Sequence, residues 1–467
     1  MRDRVLEIDD IQGNVLGGFN TDIQELVPLT VAHAPDLQRA AAWVATLSPA
    51  VTTVAQVRAQ REAMKSSPAS VGPWLCVGIG QRLLGKTQSD VLIRDEAFNG
   101  GMVKRAPSVL GDKSDPAGWR VGGTGAPVGV LLIVASNDGG ATASRAQELV
   151  TSAVAAGLSV GHRDTLRRLD DREHFGFRDG ISQPQVAGLD DVGELQPGNF
   201  VFGYPKVAGS EPFWPVVDPR GLTDNGSLLV FRRLAQDVGA FRAFCASEAM
   251  RLAAQWPGLS AGHLGALIVG RWPSGTPVAT GQTQDPGQLP PNNDFDFKGD
   301  PDGVSCPLGA HIRKINPRNG PKDVLEVPRM LRRGVPFGPL YDAAPEADRG
   351  LAFIAFQSSV KSQFEFLTQH WMNSDLNPGR GNDLLVGRSD GSARTMKIRG
   401  PAGPIQISAP LADWIKPTGG AYLFVPGKSG LAKFGTPPAA LGLWKAHQLW
   451  AITLDSVKQS LFERETI

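Results

Sequence analysis

Residues 227–255 read SLLVFRRLAQDVGAFRAFCASEAMRLAAQ, and the change of pattern inside this stretch decides the fold class. SLLVFRRL (227–234) is a short run of branched and aromatic apolar residues and predicts a strand. The residues from Asp237 to Gln255 predict a helix, and ALIVGRW (266–272) predicts a second strand. The order returns downstream, with LAFIAFQ (351–357) as a strand, Ser359 to Met372 as a helix and GGAYLFVP (419–426) as a strand. It is also present upstream. Pro35 to Met64 predicts one or two helices, Trp74 to Gly80 (WLCVGIG) a strand with a helix starting near Gln81, GVLLIVAS a buried strand, and Ala141 to Ala156 a helix. The chain thus repeats an α+β unit twice. Two domains follow, each an antiparallel sheet with flanking helices. The Gly/Pro-rich segment from Gln185 to Asn225 is the expected joint, giving domains over 1–190 and 191–467.

Composition narrows the function. Across 467 residues, Lys and Arg number 47 and Asp and Glu 46, so no overall field recruits nucleic acid or an anionic membrane. The 55 Gly and 36 Pro imply many turns and long structured loops, where sites are commonly built. The apolar runs Val128 to Ala135 and Leu264 to Val269 are far too short to span a bilayer, and the opening MRDRVLEIDD carries acidic residues by position 7, so a cytoplasmic protein is expected. Cys76, Cys245 and Cys306 are odd in number and widely spaced, which argues for reduced, buried thiols over a disulfide framework or thiolate metal site.

Three stretches carry candidate chemistry. GFRDGISQP (176–184) holds one carboxylate, Asp179, between glycines that let the chain turn sharply and carry the side chain into a pocket; a surface turn with a solvated Asp is the plainer alternative. CPLGAHIRKINPR (306–318) sets one imidazole, His311, ahead of Arg313, Lys314 and Arg318. A single axial imidazole beside cations suits a haem, whose iron takes a proximal His and whose propionates need positive partners, whereas a core histidine beside a solvated basic turn is the alternative. VPRMLRRGVPFG (327–338) offers Arg332 and Arg333 in an otherwise apolar turn; burying either needs an anionic partner, and Asp179 is one candidate. With only seven histidines and no HExxH or HxH pair, a histidine-rich zinc centre is not expected.

GFRDGISQP resembles the GxxDG signature of dye-decolorizing peroxidases, haem enzymes of two ferredoxin-like domains in the dimeric α+β barrel superfamily. PGNFVFGYP (197–205), SLLVFRRLAQDV, VGRWPSGTP (269–277), CPLGAHIRKINPR, LRRGVPFGP (331–339), QSSVKSQFEFLTQHWMN (357–373) and GGAYLFVP resemble the same family in the same order. The resemblance runs from about Asp9 to Pro426 and is closest to the branch with long insertions and no export signal. It implies one haem b per chain, hydrogen peroxide and small aromatic reductants such as dyes and phenolics as substrates, and turnover through an oxoferryl porphyrin radical. It further implies Asp179 as distal acid/base, Arg332 as distal charge stabiliser in preference to Arg333, and His311 as the proximal iron ligand. Arg313, Arg318, Gly180 and Ile181 are expected to contact the haem, and a carboxylate, for which Asp383 is the candidate, to hold the other nitrogen of His311. A homo-oligomer is compatible with the family. The competing class is a haem carrier without turnover.

Overall fold

The computed structural model describes residues 4–66, 72–190, 193, 195–287, 293–318, 327–388 and 391–437. In the first half, strand β1 (Ile23–Thr30) follows the short helix α1 (Gly13–Leu16), and helices α2 (Asp36–Thr46) and α3 (Val54–Ser66) lead to β2 (Trp74–Gly80). After a connection that holds three short helices, Gln81–Thr87, Glu96–Gly100 and Met102–Ser108, come β3 (Val130–Ser136), α4 (Gly139–Ala155) and β4 (Asp164–Arg167). The second half supplies β5 (Ser227–Gln236), α5 (Val238–Leu252), α6 (Ala261–Val269), α7 (His311–Ile315), β6 (Leu331–Arg332), β7 (Val335–Phe337), β8 (Gly350–Gln357) and β9 (Ile415–Val425).

The strands hydrogen-bond in the order β7–β4–β1–β3–β2–β9–β5–β8, and β8 pairs with β7, so the sheet closes on itself. Every described pairing in it is antiparallel. Within each half the spatial order is fourth, first, third, second strand, the ferredoxin-like βαββαβ arrangement. The halves meet at two seams, Phe424 opposite Ile79 and Phe337 opposite Leu166. Residue 191, the expected start of a second domain, lies outside the described residues.

Sequence alternation explains the layers. Leu26, Cys76, Leu131, Ile133, Phe231, Ile354 and Leu423 meet in one core, as residues facing the inside of a ring do, while their neighbours Val27, Val77, Leu132, Val230 and Phe424 pack outward with α2 and α4 residues. Both faces are therefore apolar, which is why β2 and β3 read as unbroken hydrophobic runs. All three cysteines are free and buried. No helix among the described residues is long and apolar enough to cross a membrane.

One predicted strand is a helix. ALIVGRW forms the end of α6: Ser260 Oγ accepts from His263 N at 3.1 Å to start the helix, and Gly270, in the left-handed region at φ 93°, stops it. The run misleads because α6 is buried from Leu264 to Val269, leaving no polar face to reveal a helical period. The unit's second strand is β6 with β7, some sixty residues later. The predicted helix from Ser359 to Met372 is present but wound as π-helical turns, and its residues Phe364, Leu367, Thr368 and Met372 border the cavity described next.

Candidate active site

A cavity of about 300 Å³ is lined mainly by residues of the second half of the chain, together with the loop that follows β4. Asp179, Gly180, Ile181, His311, Arg318 and Arg332 all line it. The six come from three separate stretches of sequence and are brought together here. Arg313 is not: its guanidinium donates to Asp300 Oδ2 at 3.0 Å, Asp300 O at 2.6 Å and Cys306 O at 2.7 Å, and stacks over Phe297.

The loop carrying Asp179 is held from both ends. Gly176 (φ 98°) and Gly180 (φ 78°) supply the turns, Arg178 N donates to Pro273 O, and Asp179 N donates to Asp171 O at 2.8 Å. The Asp179 carboxylate accepts from Gly180 N at 2.6 Å and is otherwise open to the cavity. Beneath it, Glu173 accepts from the backbone N–H groups of Phe175 and Phe177 and from Gln236 Nε2. Burial pushes the Glu173 carboxyl up to about 7; the three hydrogen bonds oppose that shift, and the charge of Asp179 adds to it.

His311 opens helix α7, and its Nδ1 lies 2.7 Å from Asp383 Oδ2. Asp383 is wholly buried, and its other oxygen accepts from Leu385 N and Val386 N, so an anionic acceptor is built in at this point. That partner fixes Nδ1 as the protonated nitrogen and leaves the Nε2 lone pair for a ligand in the cavity. Arg332 Nη2 donates to Ser182 O at 3.2 Å. Its peptide is gripped by Gln183, whose amide accepts from Arg332 N and donates to Arg332 O.

Four residues of the site carry no expectation from sequence: Glu173, Gln183, Arg271 and Arg329. Gln183 sits inside GFRDGISQP and Arg329 inside VPRMLRRG; the signal was present, but only a folded chain shows that Gln183 meets the Arg332 backbone and that Arg329 faces the cavity. Arg271, Arg318, Arg329 and Arg332 together make the cavity strongly cationic. Burial, then repulsion from Arg318 and Arg332, pushes both Arg271 and Arg329 down to about 10. Among the described residues the Arg329 guanidinium has no protein hydrogen-bond partner, and Asn316 Oδ1 is buried without one. Such a surplus of desolvated cations beside an apolar wall fits a ligand with a flat hydrophobic body and two carboxylates. A haem answers that description, and His311, with Asp383 at its Nδ1, is an imidazole in the same cavity of the kind that haem iron takes.

Comparison with known proteins agrees. Residues 278–386 match the family model described as Dyp-type peroxidase, C-terminal. A dye-decolorizing peroxidase from Exidia glandulosa is 30% identical over 471 residues, covering 91% of this chain and 86% of that one. The chain belongs to the dye-decolorizing peroxidase family. A second relative, dye-decolorizing peroxidase msp1 from Mycetinis scorodonius, is 29% identical over 91% of this chain and 87% of its own. The solved structure of a point mutant of the dye-decolorizing peroxidase from Pleurotus ostreatus superposes with a TM-score of 0.80 at 27% identity, covering 92% of this chain and all of that one (100%). As a dye-decolorizing peroxidase, the protein is a haem-dependent enzyme that uses hydrogen peroxide and a reducing substrate.

Proposed function

We propose that the cavity binds one haem b per chain, that His311 would hold its iron, and that Asp179 and Arg332 act on hydrogen peroxide in the same cavity. The observation that carries this reading is the convergence of Asp179, Arg332 and His311 on one cavity, with Asp383 holding the imidazole. Arg318 and Arg329, with Arg271 behind them, would face the two propionates; Gly180 and Ile181 would lie against the ring. Arg313 is bound to Asp300 and is left out of this set.

Haem bound there would supply the iron at which the peroxide O–O bond is broken. The protein's part is proton handling and charge. Asp179 would take a proton from one peroxide oxygen and deliver it to the other, so that the latter can leave as water. Arg332 donates to the charge that develops on the departing oxygen, and Ser182 O steadies its guanidinium for that task. Asp383 accepts the Nδ1 proton of His311 and makes the imidazole a stronger donor to iron. Over the cycle hydrogen peroxide gains two electrons and two protons and gives two waters, while aromatic donors such as phenolics or dyes each lose one electron. A haem carrier needs the imidazole alone; Asp179 and Arg332 in the same cavity are surplus to it.

Haem titration of the apoprotein tests the binding half of this reading. The parent is expected to develop its Soret band with an end point at one haem per chain, His311→Ala to lose the band's nitrogen-ligated character, and Asp383→Asn to bind about 10- to 100-fold more weakly. A His311→Ala protein with the parent's spectrum and affinity would place the axial ligand elsewhere.

A further inference from the structure

Arg332 and Arg333 are neighbours that leave the chain in opposite directions. Arg332 reaches the cavity, whereas Arg333 turns back over the N-terminal segment, donating from Nε to Asn14 O at 3.1 Å and from Nη2 to Val15 O at 3.2 Å and Leu16 O at 2.9 Å. Its Nη1 donates to Arg332 O at 3.1 Å. Arg61 on α3 takes the next two carbonyls, Gly17 O at 2.7 Å and Gly18 O at 2.5 Å. Five consecutive carbonyls, Asn14 to Gly18, therefore converge on two guanidinium groups. The first three, Asn14 to Leu16, are carbonyls that the end of helix α1 leaves without intrahelical partners.

The segment is shaped for this. Gly18 adopts φ +66°, and a Cβ there would sit 2.7 Å from Arg333 Nε, so only glycine lets the guanidinium settle onto the chain. Asn14 Oδ1 accepts from Phe19 N and closes the turn. The strap is in turn tied to the barrel: Gln12 Nε2 donates to Val77 O on β2 and to Pro426 O just past β9, Gln12 Oε1 accepts from Val77 N, and Gly13 N donates to Thr52 O. Arg333 N donates to Ile354 O on β8.

We infer that the Asn14–Gly18 strap and Arg333 form a clamp that sets the position of Arg332 in the cavity, Arg333 being a positioning residue and not a catalytic one. Two desolvated cations are held side by side to build it: burial pushes Arg333 down to about 10, and the charge of Arg61 adds to that. The gain is a fixed Arg332 peptide. Its C=O accepts from both Gln183 and Arg333 and its N–H donates to Gln183, so the strap, the strand and the Asp179 loop meet at a single residue. The clamp also explains a pair of adjacent arginines, of which one could serve the cavity and the other could not reach it.

The inference rests on Arg332 being the group that stabilises peroxide cleavage, and the test separates the two. Haem-loaded Arg333→Gln, Arg333→Lys, Gly18→Ala and Arg332→Leu would be compared in peroxide-dependent Soret change, in KM for an aromatic donor, and in hydrogen exchange of the amides at 331–334. Arg333→Gln and Gly18→Ala are expected to raise exchange and to slow the peroxide step by about 10- to 100-fold, as displacing an aligned group by an ångström does. The donor KM stays within about two-fold, and Arg333→Lys restores part of the rate. If exchange rises in either variant while its peroxide rate stays within about two-fold of the parent, the strap is structural only and the inference fails. If Arg332→Leu itself keeps the parent rate, the reading of Arg332 fails, and the clamp then has no catalytic group to position.

Discussion

Glu173 shows how one desolvated, part-buried carboxyl can set a pH limit. Its carboxyl titrates near 7 in the folded protein against an ordinary value of 4.5, mainly because of burial. Between those values the folded state keeps a proton that the unfolded chain has released. Stability therefore falls as pH rises through that window, and the full penalty is present above it. Replacing Glu173 by Gln removes the slope, so the Tm of the parent relative to Glu173→Gln is expected to fall between about pH 5 and about pH 8. A difference that is flat across that range contradicts the assignment. Calorimetry at the two pH values decides it.

Arg313 makes the complementary point, that a cation two residues from His311 in sequence need not face the cavity that His311 lines. Its pair with Asp300 is almost wholly enclosed. Arg313→Met leaves Asp300 without its counter-charge and is expected to cost about 3 kcal/mol or more in stability, while haem affinity in the folded fraction is unchanged. Weakened haem binding with unchanged stability would return Arg313 to the cavity.

At the scale of elements, the sequence was informative where an element is amphipathic or strictly apolar and short, and misleading where burial is complete. Strand β5, helix α5, strands β2, β3, β8 and most of β9 lie where their patterns put them. Helix α6 does not, because Leu264 to Val269 are enclosed on every side. Strand β1 escaped notice because IQELVPLT carries Glu25 and Pro28, residues uncommon in a central strand; it is nonetheless paired with β3 along its length, and Glu25 is accommodated by Thr165 and Arg163. Helix α7, five residues long, has too few turns to show a period, although the motif around His311 marked its place. At the site, the residues with candidate chemistry of their own, Asp179, His311 and Arg332, were legible, and they meet in one cavity. Those that act through position, Gln183 and Glu173, were not, because nothing in a linear sequence shows what they face.

At the scale of the whole molecule, the closed sheet makes the two halves interdependent. Besides the paired edges, Arg233 on β5 donates to both oxygens of Asp164 on β4 at 2.9 Å and lies over Phe337 on β7. The site uses the same continuity: Asp179 follows β4, whereas Arg332 is on β6 and His311 precedes it. Denaturant titration of the holoprotein is therefore expected to show far-UV dichroism and Soret absorbance changing together in one transition. A transition in which half the strand signal is lost before the Soret band moves would mean that the seams are weak and the halves unfold separately.

The role proposed for Asp179 is to move the peroxide proton. Rapid mixing of haem-loaded parent and Asp179→Asn with one equivalent of hydrogen peroxide, followed at the Soret band, tests it most directly. Both are expected to bind haem alike, and the variant to react more slowly by about 100-fold or more, the span of a positioned acid/base group. An Asp179→Asn protein that reacts as fast as the parent would contradict it.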